Sequence, residues 1–254
     1  GNTPDTTNPQ GLSPDPRIAN APWLTAPATQ LVFDTLEGAG IAVRAVGGTV
    51  RNTLLGEPVS DIDLAADAPP EKVTQAAREA GLKVVPTGID HGTVTIIAAG
   101  IPFEVTTLRR DVSTDGRRAT IAYTGDWRED AERRDFTINA LYCDRDGALL
   151  DPVGGLADIV TRRVRFIGDA HQRIREDYLR ILRFFRFSAQ YSGGVLDDTG
   201  LAACIDERGG LRRLSAERIH HELFRLLKAP RALEVIRQIA PHGFIEDIIG
   251  TSGD

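Results

Sequence analysis

Two aspartates one residue apart, Asp61 and Asp63, are the residues of this 254-residue chain whose spacing points most directly to chemistry. Side chains at i and i+2 of a β-strand point to the same face, so a strand here places both carboxylates together while Ile62 and Leu64 face the core. Neighbouring carboxylates raise each other's pKa unless a cation lies between them, and Mg²⁺ prefers such oxygen ligands. Two exposed aspartates on a solvent-facing strand are the alternative.

A glycine pair, Gly47 and Gly48, ends the apolar run that precedes these aspartates. A turn of this kind at the start of a helix exposes backbone N–H groups that can cradle a phosphate. Arg51 lies one helical turn beyond Gly48 and can reach the same anion. A phosphate-binding turn next to a metal-binding pair of carboxylates suits nucleotidyl transfer with two metal ions.

A third carboxylate is expected on a neighbouring strand, and Glu104 is the candidate. Its neighbours Phe103 and Val105 are apolar, so Glu104 lies on the opposite face of its own strand. Taken alone, Glu104 also fits an ordinary surface glutamate.

The elements that must position these residues follow from hydrophobic periodicity and turn signals. In the first part of the chain we expect helices over 26–40, 49–56, 69–81 and 130–142, and strands over 41–46, 61–65, 83–87, 93–98 and 102–108. A short strand–turn–strand is expected around Asp146 and Gly147. Residues 109–127 are polar and typical of a mobile loop. Beyond residue 160 we expect helices over 174–191, 199–207 and 215–227, with Ser215 as an N-cap. The predicted fold class is α+β, with a small, mixed, mainly antiparallel sheet followed by an all-helical domain.

Composition limits the class of protein. Hydrophobic residues make up 41% and charged residues 26% of the chain, as in ordinary globular proteins, and no apolar run approaches the ~18 residues of a membrane span. Residues 1–25 read as a flexible extension without the features of a signal peptide. Two cysteines without metal spacing fit a reducing compartment, so we expect a cytoplasmic protein.

The net charge of −6 is unevenly distributed. Residues 160–240 carry 16 Arg and Lys against 10 Asp and Glu. A positive second half permits a polyanionic partner. A solvated helical surface is the alternative.

Four stretches together resemble a known family. They occur in the family's order within roughly residues 26–227: GGTVRNTLLG with DIDLA, FEVTTLRRD, RRDFTINAL and REDYLRILRFFRFSA. The sequence is similar to the bacterial-type (class II) tRNA nucleotidyltransferases, or CCA-adding enzymes, and to the related poly(A) polymerases of the DNA polymerase β superfamily. This resemblance implies a nucleotidyltransferase head with a five-stranded sheet over 26–160 and a helical neck over 161–254.

The resemblance also implies roles for residues of the head. Asp61 and Asp63 would bind Mg²⁺, and Glu104 would be the third catalytic carboxylate. Gly48 and Arg51 would hold the triphosphate.

Six residues further along the chain match nucleotide-binding positions of the family: Arg134, Asp135, Asp177, Arg180, Arg183 and Arg186. Asp135 would accept from the ribose 2′-OH, and Asp177 with Arg180 would read the base. Two positions fit the family pattern less well. On a straight helix, Arg186 lies on the opposite side from Asp177, so Arg186 also fits a structural role. Asn52 stands where the family usually has aspartate.

The base-reading pair has a physical rationale. Aspartate only accepts hydrogen bonds and arginine only donates them, while cytosine and adenine each present an NH₂ group beside a ring-nitrogen acceptor. Uracil and guanine present the inverse pattern and would leave buried groups unpaired, at roughly 1–3 kcal/mol per group. Without the head motifs, the same residues would be read as ordinary Asp–Arg pairs on an amphipathic helix.

The predicted function is the template-independent addition of C and A nucleotides to the 3′ end of tRNA from CTP and ATP, with Mg²⁺ and without a protein nucleophile. A poly(A) polymerase, or an enzyme adding only CC or only A, fits the same motifs. A non-catalytic nucleotide- or RNA-binding remnant is an alternative of another class, and a signalling nucleotidyltransferase is a further one. The sequence leaves the oligomeric state open.

Overall fold

The computed structural model describes residues 13–114 and 119–252, and the chain divides into two compact units. The head unit comprises the chain up to Arg134 together with residues 139–155, and the helical unit comprises residues 135–138 and those from Leu156 onward. The sequence places a single boundary after residue 160. The observed division differs because residues 135–138 belong with the second unit, where Phe136 forms an isolated β-bridge with Phe166.

The head unit contains six helices and nine strands within its described residues. The helices are α1 Pro16–Ala19, α2 Pro22–Thr25, α3 Pro27–Gly38, α4 Gly48–Leu55, α5 Pro70–Glu79 and α6 Trp127–Glu132. The strands are β1 Val43–Val46, β2 Ile62–Ala66, β3 Lys83–Gly88, β4 Thr93–Ala98, β5 Ile101–Thr107, β6 Arg109–Thr114, β7 Ala119–Tyr123, β8 Tyr142–Cys143 and β9 Leu149–Leu150.

Seven strands form one sheet in the order β3-β4-β5-β2-β1-β8-β9. Every neighbouring pair is antiparallel except β2 and β5, which are parallel. The α+β class and the mainly antiparallel sheet are therefore confirmed. The short strands β8 and β9 confirm the strand–turn–strand expected around Asp146 and Gly147. They join the five longer strands in one sheet, which therefore has seven strands instead of the five that the resemblance implies.

Residues 16–25 are part of the packed head unit, so the prediction of a flexible extension through residue 25 is wrong for this stretch. Ile18 and Leu24 are fully buried, and the indole N–H of Trp23 donates to the hydroxyl of Thr53 at 2.8 Å. Proline in the first turn of both α1 and α2 favours helix initiation, and the apolar side chains then anchor both helices. Residues 1–12 of the predicted extension lie outside the described part of the chain.

Two further head segments differ from the sequence-based expectation. The expected mobile loop over 109–127 instead contains β6 and β7, which pair antiparallel, while residues 115–118 lie outside the described residues. The expected helix over 130–142 ends at Glu132, because the following segment leaves the helix to pair within the helical unit. In the first case two neighbouring strands pair with each other, and in the second a long-range pairing overrides the local helical pattern.

The helical unit consists of seven α-helices among its described residues. They are α7 Gly155–Thr161, α8 Ala170–Glu176, α9 Leu179–Tyr191, α10 Asp198–Asp206, α11 Ala216–Lys228, α12 Ala232–Ile239 and α13 Phe244–Ser252. Ser215 caps α11 as predicted, with its hydroxyl accepting from the N–H of Arg218. Across the described residues, no helix has the length and apolar character needed to cross a membrane.

The predicted continuous helix over 174–191 is interrupted. Asp177 has an extended backbone between α8 and α9, and its carboxylate accepts from the N–H of Leu179 at 3.1 Å. An aspartate side chain that bonds to the backbone N–H two residues further on competes with helical hydrogen bonding. The periodicity assigns Asp177 to a helix face, but in the structure Asp177 separates two helices. Phe184 and Phe187 of α9 then pack against Phe136 and form the aromatic core of this unit.

If α2 is part of the folded head, Leu24→Ala should lower the free energy of unfolding by about 2–4 kcal/mol, because the substitution leaves a cavity in a packed region. Urea unfolding followed by circular dichroism measures this. Leu31→Ala is the matched control, since Leu31 of α3 is 44% exposed, and it should cost less than about 1 kcal/mol. Equal small effects of both substitutions would show that α2 does not pack.

Candidate active site

Three carboxylates converge at the parallel pair of strands. Register places Asp63 of β2 opposite Glu104 of β5, and their side chains share a hydrogen bond. Asp61 lies immediately before β2. Burial, followed by the bond to Glu104 and the negative charges of Glu104 and Asp61, raises the pKa of Asp63 to about 7. The structure thus places Asp63 against Glu104, with Asp61 close enough for its charge to act on Asp63.

This carboxylate set has the donor chemistry of a divalent-cation site. The negative charges of Glu104 and Asp61 act on Asp63 and disfavour its ionised form. A hard cation coordinated by the carboxylate oxygens would relieve this repulsion. Within residues 13–114 and 119–252, no three His, Cys, Asp or Glu side chains are already arranged to enclose an ion.

The glycine turn opens α4 beside this site. Gly47 has φ +69° and ψ −130°, a conformation open to glycine but strained for other residues. A Cβ atom at Gly47 would lie 3.8 Å from Nη1 of Arg134, and one at Gly48 would lie 3.2 Å from Nη2 of Arg51. Two guanidinium groups therefore border the turn, and the positive end of the α4 dipole adds to them. This arrangement can bind a polyphosphate.

Two asparagines hold Arg51, which is only 8% exposed. Its Nε donates to Oδ1 of Asn52 at 3.1 Å, and its Nη1 donates to Oδ1 of Asn139. Asn52 in turn donates through Nδ2 to the carbonyl of Pro58 at 2.9 Å. An ionised aspartate at position 52 could accept from Arg51 but could not donate to Pro58. Asparagine at this position therefore fits the local hydrogen bonding.

Asp130 is a buried partner of Arg134 that sequence reasoning missed. Its Oδ2 accepts from Nη2 of Arg134 at 3.2 Å and from the hydroxyl of Tyr142 at 2.6 Å, and its Oδ1 accepts from the backbone N–H of Arg109 at 3.1 Å. Burial opposes ionisation of Asp130, but the charges of Arg134 and Arg133 outweigh it and lower its pKa. The i, i+4 spacing of Asp130 and Arg134 was the available signal. Asp130 thus connects Arg134 with the start of β6.

In the helical unit, two predicted residues bind each other. Arg183 donates through Nε and Nη2 to Oδ2 of Asp135 at 3.0 and 2.6 Å. The other oxygen of Asp135 accepts from the N–H of Phe136 at 2.7 Å. The carboxylate is thereby fixed in orientation, with its charge balanced by Arg183.

Asp177 and Arg180 bind different side chains, so the structure does not show them as a side-chain pair. Arg218 donates to both oxygens of Asp177 at 2.8 and 3.3 Å. Arg180 donates to the carboxylate of Glu176 at 2.6 Å and to the carbonyl of Arg173 at 2.8 Å. The partners Arg218 and Glu176 were not expected from the sequence, although Glu176 stands at i−4 from Arg180.

The structural interpretation of Arg186 is favoured by its contacts. Its guanidinium donates to both oxygens of Glu222 on α11 and lies 4.4 Å from the ring centroid of Phe187. Glu222 is 3% exposed, so this is a buried ion pair between α9 and α11. Its sequence signal was an acidic residue on a helix face between buried Ile219 and Leu226.

Comparison with known proteins supports the resemblance noted in the sequence. Residues 43–165, which contain the three carboxylates and the glycine turn, match the family described as the poly(A) polymerase head domain. The chain carries the head domain of the poly(A) polymerase and CCA-adding enzyme family. Nucleotidyltransferases of this family are associated with a divalent-metal requirement.

Similarity to individual family members extends beyond the head. The chain is 43% identical over 208 residues to CCA tRNA nucleotidyltransferase 1, mitochondrial, of Mus musculus, covering 79% of this chain and 48% of that protein. It is 40% identical over 198 residues to the CCA-adding enzyme of Levilactobacillus brevis, covering 77% and 49%. The crystal structure of the Bacillus stearothermophilus CCA-adding enzyme in complex with CTP superposes with a TM-score of 0.78 at 33% identity, covering 90% of this chain and 56% of that one. The chain thus spans about half the length of these relatives.

If the role of Arg186 is structural, Glu222→Gln should lower the free energy of unfolding by about 3 kcal/mol, because the substitution leaves a buried guanidinium without its counter-charge. Urea unfolding measures this. Glu217→Gln on the exposed side of α11 is the matched control and should cost less than about 0.5 kcal/mol. A wild-type stability for Glu222→Gln would contradict the structural role.

Proposed function

We propose that this protein adds C and A nucleotides, in the order CCA, to the 3′ end of tRNA from CTP and ATP, with Mg²⁺ and with release of pyrophosphate. The observation that carries the proposal is the register of Asp63 with Glu104, beside Asp61 and in the same unit as an arginine-bordered glycine turn. The names and the CTP complex of the relatives support the same activity.

In the head unit, Asp61 and Asp63 would hold Mg²⁺, with Glu104 as the third catalytic carboxylate. A bound divalent cation supplies positive charge that stabilises the pentavalent phosphorus and the leaving pyrophosphate. The N–H groups at the start of α4, beginning at Gly48, would bind triphosphate oxygens together with Arg51. Since the 3′-hydroxyl of the RNA attacks the α-phosphorus directly, no protein nucleophile takes part.

Arg134 would add a second positive charge for the triphosphate. Asp130 holds its guanidinium at 3.2 Å, and its charge is close enough to Asp63 to oppose the rise in the pKa of that carboxyl. A guanidinium already fixed in position loses less side-chain entropy when an anion binds. Arg134 thus suits the binding of a nucleotide that carries several negative charges.

In the helical unit, Asp177 and Arg180 would read the base edge and Asp135 would accept from the ribose 2′-OH. In the structure these groups are paired with Arg218, Glu176 and Arg183. Each contact to the base or the ribose therefore exchanges an existing hydrogen bond for a new one, which keeps these polar groups paired in both states. Arg183 would act chiefly through Asp135, and Arg186 belongs to the proposed nucleotide site only through its place beside Arg183 on α9.

The partners of this reaction are the tRNA 3′ end, CTP and ATP, and we place the reaction in the cytoplasm. The positive surplus of residues 160–240 supports RNA binding. Both cysteines are buried and unbridged, in keeping with a reducing compartment. A poly(A) polymerase would use the same head residues. The test must therefore distinguish poly(A) addition from CCA addition.

The proposal predicts ordered incorporation on defined primers. Three tRNA transcripts, ending at the discriminator base, after C and after CC, are incubated with Mg²⁺ and labelled CTP, ATP, UTP or GTP. The chain should add CC, C and A respectively, using CTP on the first two transcripts and ATP on the third, and then stop. UTP and GTP should be disfavoured by at least about tenfold, the discrimination that one or two unpaired polar groups provide. Product lengths are read on a sequencing gel.

Asp61→Ala/Asp63→Ala should abolish incorporation while thermal unfolding stays near that of the wild type, because the substitutions remove repulsive charges. Asp67→Ala, one residue beyond β2 and exposed, is the matched control and should retain activity. Addition of long A tracts would show that the chain is a poly(A) polymerase instead. Nucleotide binding without incorporation on any primer would refute the proposed catalysis.

A further inference from the structure

Thr49, in the first turn of α4, contacts the segment that carries the metal-binding aspartates. Its hydroxyl donates to the backbone carbonyl of Asp61 at 3.0 Å and accepts from the backbone N–H of Asp63 at 2.9 Å. The residue is 1% exposed. A threonine hydroxyl has one hydrogen to donate, and here that hydrogen goes to the peptide group of Asp61.

These two bonds lie where the strand ladder stops. The register of β1 with β2 runs through Leu64, Ala65 and Ala66, and Asp61 and Asp63 precede it. At the end of β1 the chain turns through the glycine pair into α4. The Thr49 hydroxyl therefore continues, from the helix, the support that β1 gives to the rest of β2.

We propose that Thr49 is a positioning residue that fixes the carboxylates of Asp61 and Asp63 at the separation a divalent cation requires. The inference rests on the proposed function, because it assumes that these aspartates hold the metal. Like-charged carboxylates at Asp61 and Asp63 repel each other, and the two bonds tie the backbone of both residues to α4. The same bonds connect the turn that would bind phosphate to the residues that would bind metal.

A purely structural role is distinguished by comparison with Thr53, one turn further along α4. The Thr53 hydroxyl donates to the carbonyl of Thr49 at 2.7 Å and accepts from the indole of Trp23. Both threonines thus use their hydroxyls in the same helix, but only that of Thr49 bonds to the segment of the aspartates. Thr53→Val is therefore the matched control.

The test compares Thr49→Val, Thr49→Ser and Thr53→Val. Valine keeps the shape and β-branching of threonine but lacks the hydroxyl, and serine keeps the hydroxyl. Mn²⁺ affinity is measured by electron paramagnetic resonance on protein without nucleotide or RNA, so that the readout does not depend on turnover. Thr49→Val should weaken Mn²⁺ binding at least about tenfold, the usual effect of losing an outer partner of a metal ligand. Thr49→Ser and Thr53→Val should remain within about twofold of the wild type.

Amide hydrogen exchange of Asp63 in the metal-free protein provides the second readout. Thr49→Val should speed this exchange, whereas Thr49→Ser should leave it near the wild-type rate. Thr49→Ala is a second hydroxyl-free variant that makes no steric demand, should valine prevent folding. Wild-type Mn²⁺ affinity in either folded hydroxyl-free variant would overturn the inference.

Failure of the proposed function gives a different pattern. A wild-type protein that binds Mn²⁺ but incorporates no nucleotide refutes the catalytic proposal, and the variants still decide the role of Thr49. A wild-type protein that incorporates nucleotides, with Thr49→Val unchanged in Mn²⁺ affinity, refutes the positioning role alone.

Discussion

Repulsion among three carboxylates is the constraint on which the head unit depends. Parallel pairing of β2 with β5 holds Asp63 against Glu104, and Asp61 adds its charge from the residue before the strand. Left to themselves, these groups would separate or take up protons. The sheet keeps them together, so folding stores an unfavourable interaction that a cation can relieve. Such local conflicts are expected at functional sites rather than in a structure optimised for stability alone.

Three of the predicted nucleotide-binding arginines are each fixed by hydrogen bonds to neighbouring side chains. Arg134 is oriented by buried Asp130, Arg51 by two asparagines, and Arg183 by Asp135. A guanidinium already fixed by hydrogen bonds loses less entropy when an anion or a base binds. Neutral asparagine partners at Arg51 also add no negative charge to a turn suited to phosphate. In the helical unit, each group predicted to read the base already has a hydrogen-bond partner. It can exchange that partner for the base when the nucleotide binds.

The sequence was most informative where a short-range rule sets the geometry. The period of two on strands identified Asp61, Asp63 and Glu104, and the glycine pair identified the turn before α4. The sequence was less informative where two interacting residues are far apart in the chain, or where a side chain forms hydrogen bonds with backbone groups. Asp177 interrupts a helix that periodicity joins, and the ion pair of Arg186 depends on Glu222, 36 residues away. The helices α1 and α2 likewise depend on tertiary contacts that no local pattern specifies.

The charge of the carboxylate cluster can be measured by titrating the Asp63 carboxyl carbon, followed by nuclear magnetic resonance with and without Mg²⁺. The midpoint should lie near pH 7 in the metal-free protein, because burial and two neighbouring carboxylates disfavour the charge of Asp63. Saturating Mg²⁺ should shift that midpoint down by more than one unit, since the cation favours the ionised form. A carboxyl that titrates at the ordinary aspartate value of about 3.9, unchanged by Mg²⁺, would contradict the account.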